Sequence, residues 1–345
     1  MKKFSEAYEK ALHVITAQKF ADDWQGFLQN QARVKELLKP DGPDSTQADG
    51  LDKIRKKIND ASHHTLVAFF VGGGSGEKFV EASKNTASAG KLEDRAATLK
   101  MLYHFYLAKQ RGAQDVWVYS PPKAFAQWIY DEIKPPEKTM VARLGKAKEV
   151  YSAGERKIMG EALLLALNWS LNVVAKLGDA KDDSKKIIRK WFADENTTDQ
   201  QINEATEKLK TGFQKIANVA NSNKLIFSDE PLDRNKGGWK DWAFVYKTEP
   251  LEVIYLQGAF LKSGNSGKLW MCALTIIHEL SHRAVNTRDH RYDSDGLKPS
   301  TGGLPYSKAL ENADTWAYFA TDLAGKLSNS DSGRVLARPV SHFYG

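Results

Sequence analysis

The sequence predicts an α+β protein in two parts: a small α/β domain over residues 1–140, then a mostly helical domain over 141–345 that carries a small antiparallel sheet. Three observations lead there. Strand-like and helix-like segments alternate in the first part, with apolar β-rich runs at 65–71 and 115–119 and helical spacing at 91–110 and 123–133. Pro135-Pro136 and the lysine-rich stretch after it break the chain near residue 140. Beyond that break the texture is helical, and short strand candidates are set off by Gly/Asn/Asp-rich turns.

Element by element, residues 4–38 alternate apolar and charged positions at helical spacing, and the loop KPDGPDSTQADG follows at 39–50. Residues 51–61 read as helix. The strand at 65–71 runs into Gly72-Gly73-Gly74-Ser75-Gly76. In the second part, Ser152 and Glu155 form an S-x-x-E capping box ahead of a long apolar helix that ends near Gly178. Thr198 and Gln201 repeat the device before a helix at 199–221. Strand candidates lie at 224–227, 243–246 and 251–256, and the loop SGNSGK at 263–268 leads into another apolar helix.

The 345 residues suffice for at least one full core. Charged residues are 27% and the net charge is +7, spread along the chain with acids interleaved. That pattern predicts a solvated surface and no nucleic-acid partner, because no basic patch is focused. The single cysteine, Cys272, excludes an intrachain disulfide and reads as a small core residue. The N-terminal stretch MKKFSEAYEKALHVITAQKF has no apolar core of a signal peptide, and no run of 18 uninterrupted apolar residues predicts a membrane span. Cytoplasmic synthesis without a classical signal is the expectation.

The stretch TIIHELSHRAVNTRDHRYD at 275–293 carries the chemistry. His278 and His282 are four residues apart, so on a helix both imidazoles leave one face and their nitrogens can hold one Zn²⁺. Glu279 lies beside the first histidine, placed to take a proton from a water at the metal, the general-base role of metallopeptidases. Trp270, Met271, Ala273, Leu274, Ile276, Ile277 and Leu280 give this helix an apolar anchor, which would hold such ligands rigidly. A third ligand is needed. Asp289, His290, Asp293, Asp295, Glu311 and Asp314 all qualify chemically, and chemistry alone does not choose among them.

HELSH followed by Thr287, Asp289 and Tyr292, with the later block ENADTWAYFA at 311–320, resembles the deuterolysin-like metallopeptidases, the aspzincins, and within them the peptidyl-Lys metalloendopeptidase branch. Arg189-Lys190-Trp191-Phe192 and the stretch 224–256 resemble the same family's earlier part, so the likeness covers roughly 155–325. The resemblance implies a zincin-like fold and a zinc endopeptidase. Asp289 is then the third zinc ligand, Tyr292 the donor to the oxyanion, and Asp314 a substrate-binding acid near the S1′ pocket. Two features depart from the family. Its flanking glycines are here Asn286 and Asp293, and the second S1′ acid falls at Ala317. The first 140 residues match no known pattern.

Other signals are weaker. Gly72–Gly76 fits neither a Walker A loop nor a nucleophile elbow and reads as a turn. His63-His64 lack partners in metal spacing. The functional expectation is a zinc-dependent endopeptidase acting on protein or peptide substrates, an exported bacterial-type toxin or effector with a secretion-machinery partner and a cognate inhibitor. The rival expectation is a non-catalytic, zinc-containing interaction module.

Overall fold

The computed structural model describes residues 4–6, 117–118, 120, 123, 150–179, 182–222 and 225–337. The chain divides into two compact units. One comprises residues 1–157, 223–241 and 248–258; the other comprises 158–222, 242–247 and 259–345. The expected break near residue 140, the strand at 65–71 and the helices at 51–61, 91–110 and 123–133 lie outside the described residues.

The first unit holds a small sheet of β1 (Trp117–Val118), β2 (Ile226–Ser228) and β4 (Val253–Leu256). Trp117 pairs with Ile226 and Ile226 with Val253, and both of these pairings are parallel. The expectation of an antiparallel sheet is therefore corrected. Short turns between strand candidates suggested hairpins, but 24 residues separate β2 from β4, enough for a crossover. Their composition carries the same message: β2 and β4 are buried at every position, as strands covered on both faces are. Polar groups converge at the carboxyl ends of these strands. Asp229, fully buried, is paired with Arg234 and with the Ser120 hydroxyl. The Tyr151 hydroxyl donates to the carbonyls of Ser228 (2.7 Å) and Leu256 (3.2 Å), and burial raises its pKa well above the usual tyrosine value.

Helix α1 (Ala153–Gly178) starts with the expected capping box, the Ser152 hydroxyl taking the Glu155 N–H while the Glu155 carboxylate takes the Ser152 N–H. Among the described residues it is the one helix long and apolar enough to cross a membrane, by length and composition only. Half of its most apolar window is buried inside the protein, as in a core helix.

The second unit is helical. Its core elements are α2 (Asp182–Phe192), α3 (Asp199–Ala220), α5 (Leu269–Ala284) and α7 (Ala313–Leu323). Smaller pieces are β3 (Ala243–Phe244), α4 (Gly258–Asn265), α6 (Tyr306–Ala309) and α8 (Asn329–Val335). Thr198 and Gln201 close the second capping box at the start of α3. Aromatic rings fill the space between the helices. Phe213 of α3 stacks on Trp316 of α7 at 5.1 Å between centroids, and Phe192 of α2 meets Phe319 edge-on at 5.3 Å. Such pairs add about 0.5–1.5 kcal/mol beyond simple burial. Packed against α3 and α7, α5 is buried over most of its length and carries His278 and His282 in its last two turns.

Candidate metal centre and active site

Helix α5 presents His278 and His282 on one face, as the four-residue spacing requires. The chain then turns back on itself. Asn286 takes a left-handed conformation (φ 61°), which asparagine adopts more readily than most side chains. The turn places the Thr287 carbonyl against the helix, where it accepts the Nδ1 proton of His282 at 2.9 Å. Thr287 also exchanges a 2.6 Å hydroxyl–hydroxyl bond with Ser281. Lys247 ties the turn from outside, donating to the Thr287 carbonyl (2.8 Å) and to the Asn286 side chain (3.2 Å).

After the turn, Arg288 pairs as a single bridge with Asn312. The Asn312 side-chain oxygen accepts the N–H groups of His290 (2.8 Å) and Arg291 (2.9 Å), which shapes the loop around Asp289. The loop delivers Asp289 Oδ1 to 3.2 Å from the Nε2 of His278 and 3.2 Å from the Nε2 of His282. The two Nε2 atoms are themselves 3.1 Å apart. Among the described residues these three form the one group arranged as metal ligands.

That triangle is informative because of what its members cannot do for one another. The Nδ1 of His278 faces the Asp314 carboxylate at 2.6 Å, and the Nδ1 of His282 faces a carbonyl. Both partners only accept, so both Nδ1 atoms carry the proton. In the neutral rings, both Nε2 atoms are then lone-pair acceptors converging on a third acceptor, a carboxylate. Three acceptors within 3.2 Å repel unless a proton or a metal cation lies among them. Tetrahedral ligands about 2.0–2.1 Å from Zn²⁺ stand roughly 3.3 Å apart, so the triangle fits that ion.

The electrostatics agree. Burial disfavours a charged His278, but the Asp289 and Asp314 carboxylates, which accept from its ring nitrogens when it is protonated, and the nearby charges raise its pKa well above the usual histidine value. Burial likewise works to raise Asp289, yet the two histidines hold it well below the carboxylate range. The pocket thus attracts positive charge at the point where the three side chains meet. Glu279 is buried against it, 4% exposed, and burial raises its carboxyl above the usual range while the histidines pull it back. Tyr292 is 52% exposed; burial of its remainder and then the charges of Asp289, Asp314 and Glu279 raise its pKa. Its hydroxyl therefore stays protonated and able to donate.

The rival third ligands point elsewhere. His290 Nε2 and Glu311 lie 3.6 Å from each other. Asp295 accepts the Tyr292 N–H at 3.0 Å, and Asp293 binds Tyr318 and Arg334. Asp314 sits on the far side of His278 from the triangle, with both oxygens engaged: Oδ1 by His278, Oδ2 by the Asp293 N–H at 2.7 Å. Sequence reasoning missed Asn312 and the Thr287 carbonyl as organisers of the loop. Asn312 stood in plain view in the block ENADTWAYFA, but its role is defined by backbone groups more than 20 residues away.

Residues 177–321 match the family model of the aspzincins, described as lysine-specific metallo-endopeptidases. The resemblance read from the two motif blocks holds over that segment. A probable neutral protease 2 homolog of Arthroderma otae is 25% identical over 211 residues, which cover 60% of this chain and 51% of that protein. The chain thus spans about half the length of the curated relative it matches. A zinc peptidase from Grifola frondosa is 19% identical, covering 50% of this chain and 97% of its own, with a TM-score of 0.36.

Proposed function

We propose that this chain, aspzincin-like over residues 177–321, is a zinc-dependent endopeptidase that hydrolyses peptide bonds in protein or peptide substrates. One observation carries the reading: ligand atoms of His278, His282 and Asp289 meet within 3.2 Å of one another, beside a buried carboxylate.

These three residues would hold the ion, with Asp314 and the Thr287 carbonyl orienting the two rings from behind. A bound zinc supplies Lewis acidity, easing ionisation of a water and polarising the scissile carbonyl. Glu279 takes the proton of the attacking water and passes it to the leaving amine. Its raised pKa suits both steps, since a carboxyl nearer neutrality is a better acid on the return. Tyr292 donates its hydroxyl to the oxyanion of the tetrahedral intermediate, a contribution on the order of a few kcal/mol to the barrier.

Zinc content and cleavage of an unfolded protein substrate test the proposal. Wild type and Glu279→Gln are expected to bind zinc equally, with turnover by the variant about 10²–10⁴-fold lower. A Glu279→Gln protein that cuts at the wild-type rate would remove Glu279 from the mechanism. Zinc in both with cutting by neither would favour the interaction-module reading.

A further inference from the structure

Directly after Tyr292, where the aspzincin pattern has glycine, this chain has Asp293. Glycine there could contribute only its backbone. Asp293 makes contacts at both of its ends. Its N–H donates to Asp314 Oδ2 at 2.7 Å. Its carboxylate accepts the Tyr318 hydroxyl at 2.8 Å and Arg334 Nη1 at 3.1 Å.

Asp314 and Tyr318 are four residues apart on α7 and so share a face. Asp293 therefore grips that face at two points one helical turn apart, by main chain and by side chain. A single hydrogen bond would leave the loop free to pivot; two fix its angle. Asp314 Oδ1 continues the chain to His278 Nδ1. An unbroken path of hydrogen bonds thus runs from Tyr318 through Asp293 and Asp314 to a residue of the metal triangle. Tyr292 precedes the clamp by one residue, its own N–H bound to Asp295 at 3.0 Å and its side chain half exposed. The two outer partners are unequal. Tyr318 is 3% exposed and its ring stacks on Trp191, whereas the Arg334 side chain is half exposed and its ion pair is worth little.

We propose that Asp293, clamped by Tyr318, is a positioning residue of the reaction: it sets the Tyr292 hydroxyl over the site and, through Asp314, the ring of His278. The assignment rests on the zinc-peptidase reading of the same site. It makes Asp293 more than a tolerated replacement for glycine, because removing its carboxylate should affect the chemical step and the metal, not only the fold.

The test uses Asp293→Gly, Asp293→Asn, Tyr318→Phe and the double variant Asp293→Gly/Tyr318→Phe, each in the full chain. Steady-state cleavage, zinc affinity by chelator competition, and Tm are measured together. Asp293→Gly and Tyr318→Phe are each expected to lower kcat about 3- to 10-fold with KM within about 2-fold, and to weaken zinc binding by a similar factor, at or below the 10–100-fold typical of groups that orient metal ligands directly. The double variant should be no worse than the worse single one, since both remove one contact. Asp293→Asn keeps an oxygen for Tyr318 and should recover most of the loss. Wild-type kcat and zinc affinity in both single variants, with only Tm lowered, would reduce the clamp to a structural role. If the wild type binds zinc but cuts nothing, the endopeptidase reading fails while the zinc-affinity comparison still decides the clamp. If Asp289→Ala leaves zinc content unchanged, the third ligand is another residue, such as Glu311 or His290, and the clamp falls with the triangle it rests on.

Discussion

Asp314 shows how one carboxylate can be spoken for twice. Its oxygens take the Nδ1 proton of His278 and the N–H of Asp293, and its side chain is 11% exposed. An acid that is to bind a substrate lysine needs an oxygen free for the ammonium, and Ala317, one turn further along α7, brings no second carboxylate. Cut-site mapping by mass spectrometry is accordingly expected to show no restriction to lysine after the scissile bond; cutting confined to lysine would overturn this use of Asp314. Asp314→Asn should instead weaken zinc binding by about 10–100-fold, measured by competition with a chelator, because the uncharged amide orients and polarises His278 less well. At this scale, much was legible in the sequence. His278, Glu279 and His282 depend on a local period of the helix, whereas Asp289 was singled out from six candidates, and Tyr292 named, only through the family resemblance. Asp314 was legible as a residue but not in its partner, since the contact with His278 spans 36 positions. A pattern of residue types carries no record of which face of α7 meets α5.

Between elements, the tightest constraint is Gly212 in the middle of α3. A Cβ there would meet the Trp316 ring of α7 head-on and come within 2.9 Å of Val285 at the end of α5. Glycine inside a helix is unfavourable by propensity, so its presence marks a close approach. Gly212→Ala is expected to cost about 1–3 kcal/mol, seen as a Tm roughly 2–12 °C lower at about 2–4 °C per kcal/mol; an unchanged or higher Tm would mean the Trp316 ring moves aside freely. A second joint is the loop after α2. The Asp194 carboxylate accepts the Tyr306 N–H (2.8 Å) and the Thr197 hydroxyl (2.7 Å). Burial works to raise its pKa, but these hydrogen bonds and the Asn196 and Thr197 N–H groups lower it overall. A folded-state pKa below the unfolded one gives stability that is present above about pH 4 and lost as pH falls through the folded value. Asp194→Asn should therefore lower Tm near neutrality, by a difference that shrinks as pH falls through the folded value; a Tm difference constant with pH would exclude the linkage. The two capping boxes were readable because their residues are three apart. The parallel sheet was not, because β1, β2 and β4 come from distant stretches and strand direction follows from connections that local turns do not report.

For the molecule as a whole, the metal triangle should act as a fold-coupled switch in stability. His278 and His282 arrive on a helix and Asp289 on a loop held by Thr287 and Asn312, so the triangle exists only when α5, α7 and the loop between them are assembled. The unfolded chain has no comparable site, and an ion that binds the folded form alone stabilises it by mass action. Free zinc at 100 times its Kd should contribute about 2.7 kcal/mol, roughly 5–11 °C in Tm at about 2–4 °C per kcal/mol for the helical unit that carries the site. Scanning calorimetry with a chelator, then with zinc restored, measures it. The Glu279→Gln protein should show the full shift, since it keeps the triangle, and Asp289→Ala should show little of it. A Tm that ignores zinc in the wild type would mean that the folded chain does not bind the ion, and a shift retained by Asp289→Ala would return the third ligand to Glu311 or His290.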